Sequence, residues 1–268
     1  MYGGYLKKKA DEIGGVPMEA MVAVLQIESG GKGIDKNTGK PVTRFENHIF
    51  SDQLKDLGSY DATKFNQHFK YSSSKRWEGH TFNGETFHGD QNKENEVLDF
   101  AKTWNEEAAY RSASYGLPQV MGFNYELLGY DSAVEMAAAF ESSIEKQLDG
   151  FFAFIKNSKK PCNGLHESSE SALHWLQQDP PNFVNFACNY NGSGQKEDYG
   201  KLIQAAASDF ASFTKTDVTA SVLTTGSSCT VRGGGSEGLC GDDALCDGRT
   251  EPGFCPGGSN MKCCLPCV

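Results

Sequence analysis

Apolar side chains recur at helical spacing through most of the first 213 positions. Met18, Met21, Val22 and Leu25 fall at i, i+3, i+4 and i+7, and Pro17 stands in front of them where a helix start tolerates proline. The same rule predicts helices over 94–107, 132–156, 168–177, 181–187 and 199–213. The longest carries Val134, Ala138, Ile144, Leu148, Phe151, Phe152 and Ile155, a stripe wide enough for a central helix. Residues 60–90 are polar, rich in Gly, Ser, His and Asn, and lack a helical period. They read as a long excursion with a small hairpin, either functional, as long loops in compact domains often are, or a surface insertion without a role.

The helical pattern stops near Phe213. Residues 214–228 carry few large side chains and read as an exposed linker. Of nine cysteines, only Cys162 and Cys188 precede it; seven crowd into 229–268, a segment too short for its own core. The expected organisation is therefore a large, mainly α domain over 1–213, a linker over 214–228 and a small disulfide-rich module over 229–268. Such cysteine usage belongs to an oxidising compartment, so the chain is expected to be secreted and extracellular. A zinc site in the tail is the competing reading, weakened because the tail has no His and only one Cys-x-x-Cys pair, Cys264 and Cys267. Seven is odd, so one tail thiol is free or pairs with Cys162 or Cys188. Met1-Tyr2-Gly3-Gly4 runs into lysines and an amphipathic stretch rather than the apolar core of a signal peptide, which suggests a leader already removed or an interior piece.

Composition narrows the function classes. The 268 residues include 11% aromatics, too many for a disordered chain, and no apolar run approaches the ~20 residues that span a bilayer. The net charge of −10 would repel a phosphate backbone, so neither nucleic acid nor membrane is an expected partner. A monomer is expected. The six histidines show no metal-ligand spacing, and neither a metal nor another cofactor is expected; His48 reads as a satisfied core residue that could buttress Glu46.

Glu28 is the most informative polar residue. It lies seven after Met21 and three after Leu25, continuing the buried face of the first helix, just before Gly30-Gly31. A carboxyl desolvated there, at the negative end of the helix dipole, is held protonated near neutrality, the condition for a general acid. A solvated Glu at a frayed helix end is the plainer alternative. Glu46, between Arg44 and aromatics in a partly buried strand or turn, is the best second carboxylate, since Arg44 would keep it ionised; an Arg–Glu pair that merely pins the loop is its alternative. Asp35 is the rival, although a loop Asp capping its own turn describes it better.

Three segments carry a family signature: Glu28-Ser29-Gly30; Ser114-Tyr115-Gly116-Leu117-Pro118-Gln119-Val120-Met121; and Asn189-Tyr190-Asn191-Gly192. In order and spacing they resemble the lysozyme-like superfamily with its goose-type lysozymes and soluble lytic transglycosylases. With the first of them set in V-P-M-E-A-M-V-A-V-L-Q-I-E-S-G-G-K-G-I-D and R-F-E-N-H-I-F following it, residues 10–213 resemble the N-acetylmuramidase family of phage endolysins. The resemblance implies a lysozyme-like helical fold with a small β excursion, peptidoglycan as substrate and cleavage of the β-1,4 bond from N-acetylmuramic acid to N-acetylglucosamine. It implies Glu28 as the catalytic Glu and Tyr115, in place of a more usual Trp, as a sugar-stacking platform. Gln119 would bind an N-acetyl group or the catalytic Glu, and Asn189 and Tyr190 would line the cleft, although Asn189 and Asn191 read more readily as turn formers than as ligands. Asn191-Gly192-Ser193 is the one glycosylation sequon, and a glycan there would obstruct the cleft. The tail is similar to cysteine-rich modules on eukaryotic secreted wall-lytic enzymes, which implies wall binding or a stabilising cap. A lytic transglycosylase forming 1,6-anhydro products, or a non-catalytic carbohydrate-binding protein on the same scaffold, are the alternatives.

Overall fold

The computed structural model describes residues 2–162 and 170–218 and four strands beyond them, with side chains described for 4–162 and 170–211. Helix α1 (Tyr2–Glu12) precedes α2 (Met18–Ser29), which buries Ala20, Met21, Ala23, Val24 and Leu25, more than one stripe, as befits a helix packed on several sides. Gly30, at φ 63°, ends it in the left-handed conformation that glycine tolerates best, its N–H turned back to the Gln26 and Leu25 carbonyls. Strand β1 (Thr43–Phe45) leads into α3 (Asn47–Asp56), a helix the residue pattern left as strand or turn.

The excursion contains a helix, α4 (Ala62–His68), whose start is fixed by Asp61 accepting from the Thr63 and Lys64 N–H groups. A small antiparallel sheet follows, β2 (Phe69–Lys70), β3 (Thr81–Phe82) and β4 (Glu85–Thr86) in that order, so the expected hairpin is present. The helix expected over 94–107 is two, α5 (Gln91–Lys102) and α6 (Glu106–Arg111). Asn105, extended at φ −159°, interrupts them and caps α6 through the Ala108 N–H. A second sheet runs β1–β5–β6, with β5 (Ala113–Tyr115) antiparallel to β1 and to β6 (Val120–Met121).

A 3-10 turn (Gly122–Leu128) leads to α7 (Ala133–Ser142) and α8 (Ile144–Asn157). The single helix expected over 132–156 is broken at Ser143, which is extended and whose hydroxyl accepts from the Lys146 N–H. One extended residue leaves the apolar period nearly intact, so the periodicity does not reveal the break. Helices α9 (Ala172–Leu176), α10 (Phe183–Asn191) and α11 (Lys196–Val218) complete the domain. Helix α11 runs five residues past the expected boundary at 213. Of the expected linker, 219–226 lie outside the described residues and Ser227 and Ser228 begin a strand, while the disulfide pairing of the tail lies outside the described residues. Four tail strands, β7 (Ser227–Thr230), β8 (Glu237–Asp242), β9 (Arg249–Pro252) and β10 (Met261–Leu265), pair antiparallel in the order β7–β8–β10–β9.

Two apolar clusters hold the domain. One gathers α2, α8, α10 and α11 around Met21, Val24, Phe151, Ile155 and Phe186. The other is aromatic, with Phe45, Phe50, Phe65 and Phe69 all buried at the meeting of β1, α3, α4 and β2. Full burial of each such ring stabilises the fold by roughly 2–3 kcal/mol. The β5–β6 hairpin joins them, with Tyr115 in the second cluster and Leu117 and Val120 in the first. No helix among the described residues is long and apolar enough to cross a membrane.

Candidate active site

Glu28 stands in the last turn of α2 with one edge of its side chain at the surface. Burial pushes its carboxyl up from the usual 4.5 to about 7, while a hydrogen bond from Asn191 pulls in the opposite direction. The Asn191 Nδ2–H donates to Glu28 Oε1 over 3.1 Å. Asn191, which read more readily as a turn former than as a ligand, is thus the residue that touches Glu28; its place at the end of a helix, in a motif, was the available signal.

Three consecutive residues of α10 point in three directions, as 100° per residue requires. Asn189 is wholly buried: its Oδ1 accepts from Trp175 Nε1–H (2.8 Å) and its Nδ2 donates to the Lys160 and Glu170 carbonyls (3.0 and 3.3 Å). Tyr190 packs against Phe154 and Phe186 and donates its hydroxyl to the Pro118 carbonyl over 2.7 Å. Asn191 alone emerges, toward Glu28. The Cys162–Cys188 disulfide clamps α10 one turn earlier, so these two thiols pair with each other rather than with the tail.

The hairpin turn after β5 is equally committed to its own architecture. Gln119 lies at φ 47°, costly for a residue with a side chain. Its amide offsets that cost by accepting from the Ser114 hydroxyl (2.9 Å) and donating to the Val42 and Gly116 carbonyls (3.0 and 2.8 Å). Tyr115 is 3% exposed, and its hydroxyl donates to the Tyr110 carbonyl. The expected sugar-stacking ring is thus a core residue with no free face, and Gln119 is a turn-former with no spare donor. Gln147, which sequence reasoning missed, reaches from α8 to accept from the Leu117 N–H (2.9 Å) and donate to the Gly33 and Phe140 carbonyls. It locks this turn to the loop that follows Glu28. Nothing but its place inside a helical stripe marks it in the sequence.

Glu46 precedes α3, and its carboxylate is largely enclosed. Oε1 accepts from Arg44 Nε–H (2.8 Å), as expected. Oε2 faces His80 Nδ1 at 3.3 Å and His48 Nδ1 at 3.5 Å without a hydrogen bond to either. The expectation of a satisfied His48 therefore fails at Nδ1. Burial raises the phenol pKa of Tyr199 on α11; the charge of Glu28 raises it further and that of Arg44 lowers it. Asp35 accepts from the Asn37 and Thr38 N–H groups, which hold it below the usual carboxylate range, and its own turn accounts for it.

The arrangement can donate a proton from Glu28 near neutrality, next to an amide that stabilises the carboxylate left behind. A family model described as N-acetylmuramidase matches residues 17–211. The chain is also similar to the crystal structure of Burkholderia AP3 phage endolysin, at 26% identity and a TM-score of 0.59, over 78% of this chain and 70% of that one. No curated protein matches the chain. The mainly helical, lysozyme-like architecture implied by the motifs is the fold found.

Proposed function

The chain belongs to the N-acetylmuramidase family, whose members are peptidoglycan hydrolases, and from that premise we propose that it is a secreted, monomeric muramidase with Glu28 as general acid. The substrate is bacterial peptidoglycan, and the bond is the β-1,4 link between N-acetylmuramic acid and N-acetylglucosamine. One observation carries the reading: a carboxyl raised to about 7 in the last turn of α2, with an amide donor on the oxygen that gains charge. Protonated Glu28 gives its proton to the glycosidic oxygen as the C1–O bond breaks, and Asn191 stabilises the carboxylate so formed. Positive charge develops at the muramyl C1. Glu46, whose Oε1 accepts from Arg44 Nε–H, is the second carboxylate that balances this charge while water attacks C1.

A second reading is favoured by Glu46 itself. One of its oxygens is held by Arg44 and the other is buried against two imidazoles, which leaves little of it for activating water. Without that base, the sugar's own 6-hydroxyl can close onto C1, the outcome of a lytic transglycosylase. The buried Cys162–Cys188 disulfide supports an oxidising destination, hence secretion. Mass spectrometry of the soluble fragments from purified peptidoglycan tests the reaction. Reducing-end muramic acid is expected; fragments lighter by one water would mean the transglycosylase, and no fragments would refute both.

A further inference from the structure

Six buried side-chain atoms lack a hydrogen-bond partner among the described residues, and three of them converge: Glu46 Oε2, His48 Nδ1 and His80 Nδ1. All three lie within 4.8 Å of one another, Glu46 Oε2 being 3.3 Å from the His80 nitrogen and 3.5 Å from the His48 nitrogen. Burying three polar atoms without partners costs roughly 1–3 kcal/mol each, too much to leave without a ligand. We infer that Glu46, His48 and His80 form a site for a divalent transition-metal ion of the zinc class.

The geometry suits such an ion. Ligand atoms about 2.1 Å from a tetrahedral metal stand about 3.4 Å from each other, which matches the two Glu46 distances. Two imidazole nitrogens with one carboxylate oxygen suit zinc and its neighbours and do not suit the hard cations, which prefer oxygen alone. The outer contacts are those a metal site requires. His80 Nε2–H donates to the Arg76 carbonyl over 2.9 Å, which fixes the lone pair on Nδ1, and Arg44 holds the other Glu46 oxygen. Burial pushes both imidazoles down, toward the neutral form that binds metal. The neighbouring cations do not forbid it, since Arg44 is half exposed and Arg76 is paired with Asp52.

The three ligands come from two parts of the chain. Glu46 and His48 flank the start of α3, whereas His80 lies in the excursion, just before β3. An ion here therefore pins the excursion to the segment that carries Arg44 and Glu46. Its function is to hold that segment, and with it the Glu46 carboxylate, in place; the proton given by Glu28 does not pass through the ion.

The test uses the full chain, stripped with a chelator and titrated with Co²⁺ while its visible spectrum is recorded. One Co²⁺ per chain is expected, with the absorption of a tetrahedral nitrogen–oxygen set, displaced by Zn²⁺ and without a thiolate charge-transfer band. His48→Gln and His80→Gln should abolish the signal, whereas His68→Gln, an imidazole of the same excursion outside the cluster, and Glu28→Gln should retain it. No Co²⁺ spectrum in the parent protein overturns the inference. So does a thiolate band alone, which would assign the ion to the tail cysteines, or an unchanged spectrum in both histidine variants. If either histidine variant fails to fold, the parent spectrum still decides. Because Glu28→Gln retains the metal site, failure here leaves the general-acid reading untouched, and the reverse holds.

Discussion

Asn191 Nδ2–H donates to Glu28 Oε1 over 3.1 Å, joining the ends of two helices 163 residues apart in the chain. This bond favours the ionised acid and opposes the burial that favours the protonated one. It therefore strengthens as the proton leaves. Asn191→Ala should raise the Glu28 pKa, move the alkaline limb of kcat/KM upward from about pH 7, and lower activity at neutral pH roughly 3- to 10-fold. A pH–rate profile of the variant checks both effects. A downward shift would contradict the assignment.

The raised carboxyl also carries a stability signature. Ionising Glu28 is harder in the folded protein than in the unfolded chain, so the native state binds more protons between about 4.5 and 7 and loses stability as pH rises through that window. Glu28→Gln removes the penalty. It should stabilise the protein by about 1–3 kcal/mol at pH 8, after discounting for the exposed edge of the side chain, and by little at pH 4. Urea unfolding of both proteins at the two pH values measures it.

Gly116 has no room for a side chain. At φ 69° it occupies the left-handed region, and a β-carbon there would collide with Gln147 Oε1. Gly116→Ala should cost about 2–4 kcal/mol, since both backbone strain and a displaced buried amide follow. A fall in thermal midpoint with activity lost in parallel is expected.

Cys162 and Cys188, both buried, close a loop across 26 positions and fix the helix that carries Asn191. Replacing both with serine should cost about 3 kcal/mol through the freed unfolded chain. Denaturation of the double variant, set beside the parent under oxidising conditions, gives the difference.

The sequence made some elements plain and hid others for identifiable reasons. Helix α2 was legible because its apolar spacing ends on a glycine pair. Ser143 and Asn105 each interrupt a helical pattern in a short stretch and resume it with a cap, which periodicity averages away. Helix α3 was missed because aromatics around Glu46 imitate a strand. At the site, the face of one helix left Glu28 open between a buried acid and a frayed end, and the neighbouring motifs singled it out. Tyr115, Gln119 and Asn189 sit inside the right motifs, yet their hydrogen bonds go to the protein's own backbone, to Ser114 and to Trp175, a distinction only tertiary structure makes. The convergence of His48 and His80 on Glu46 was hidden because 32 positions separate the two histidines and a hairpin closes the gap.

The central claim is that Glu28 supplies the proton. Its most direct test is the turnover of Glu28→Gln on purified peptidoglycan near pH 6, with folding verified by circular dichroism. A general acid contributes typically ~10²–10⁴-fold, so a loss of about that size in a protein that folds normally is the predicted result. Cleavage at the parent rate would contradict the account.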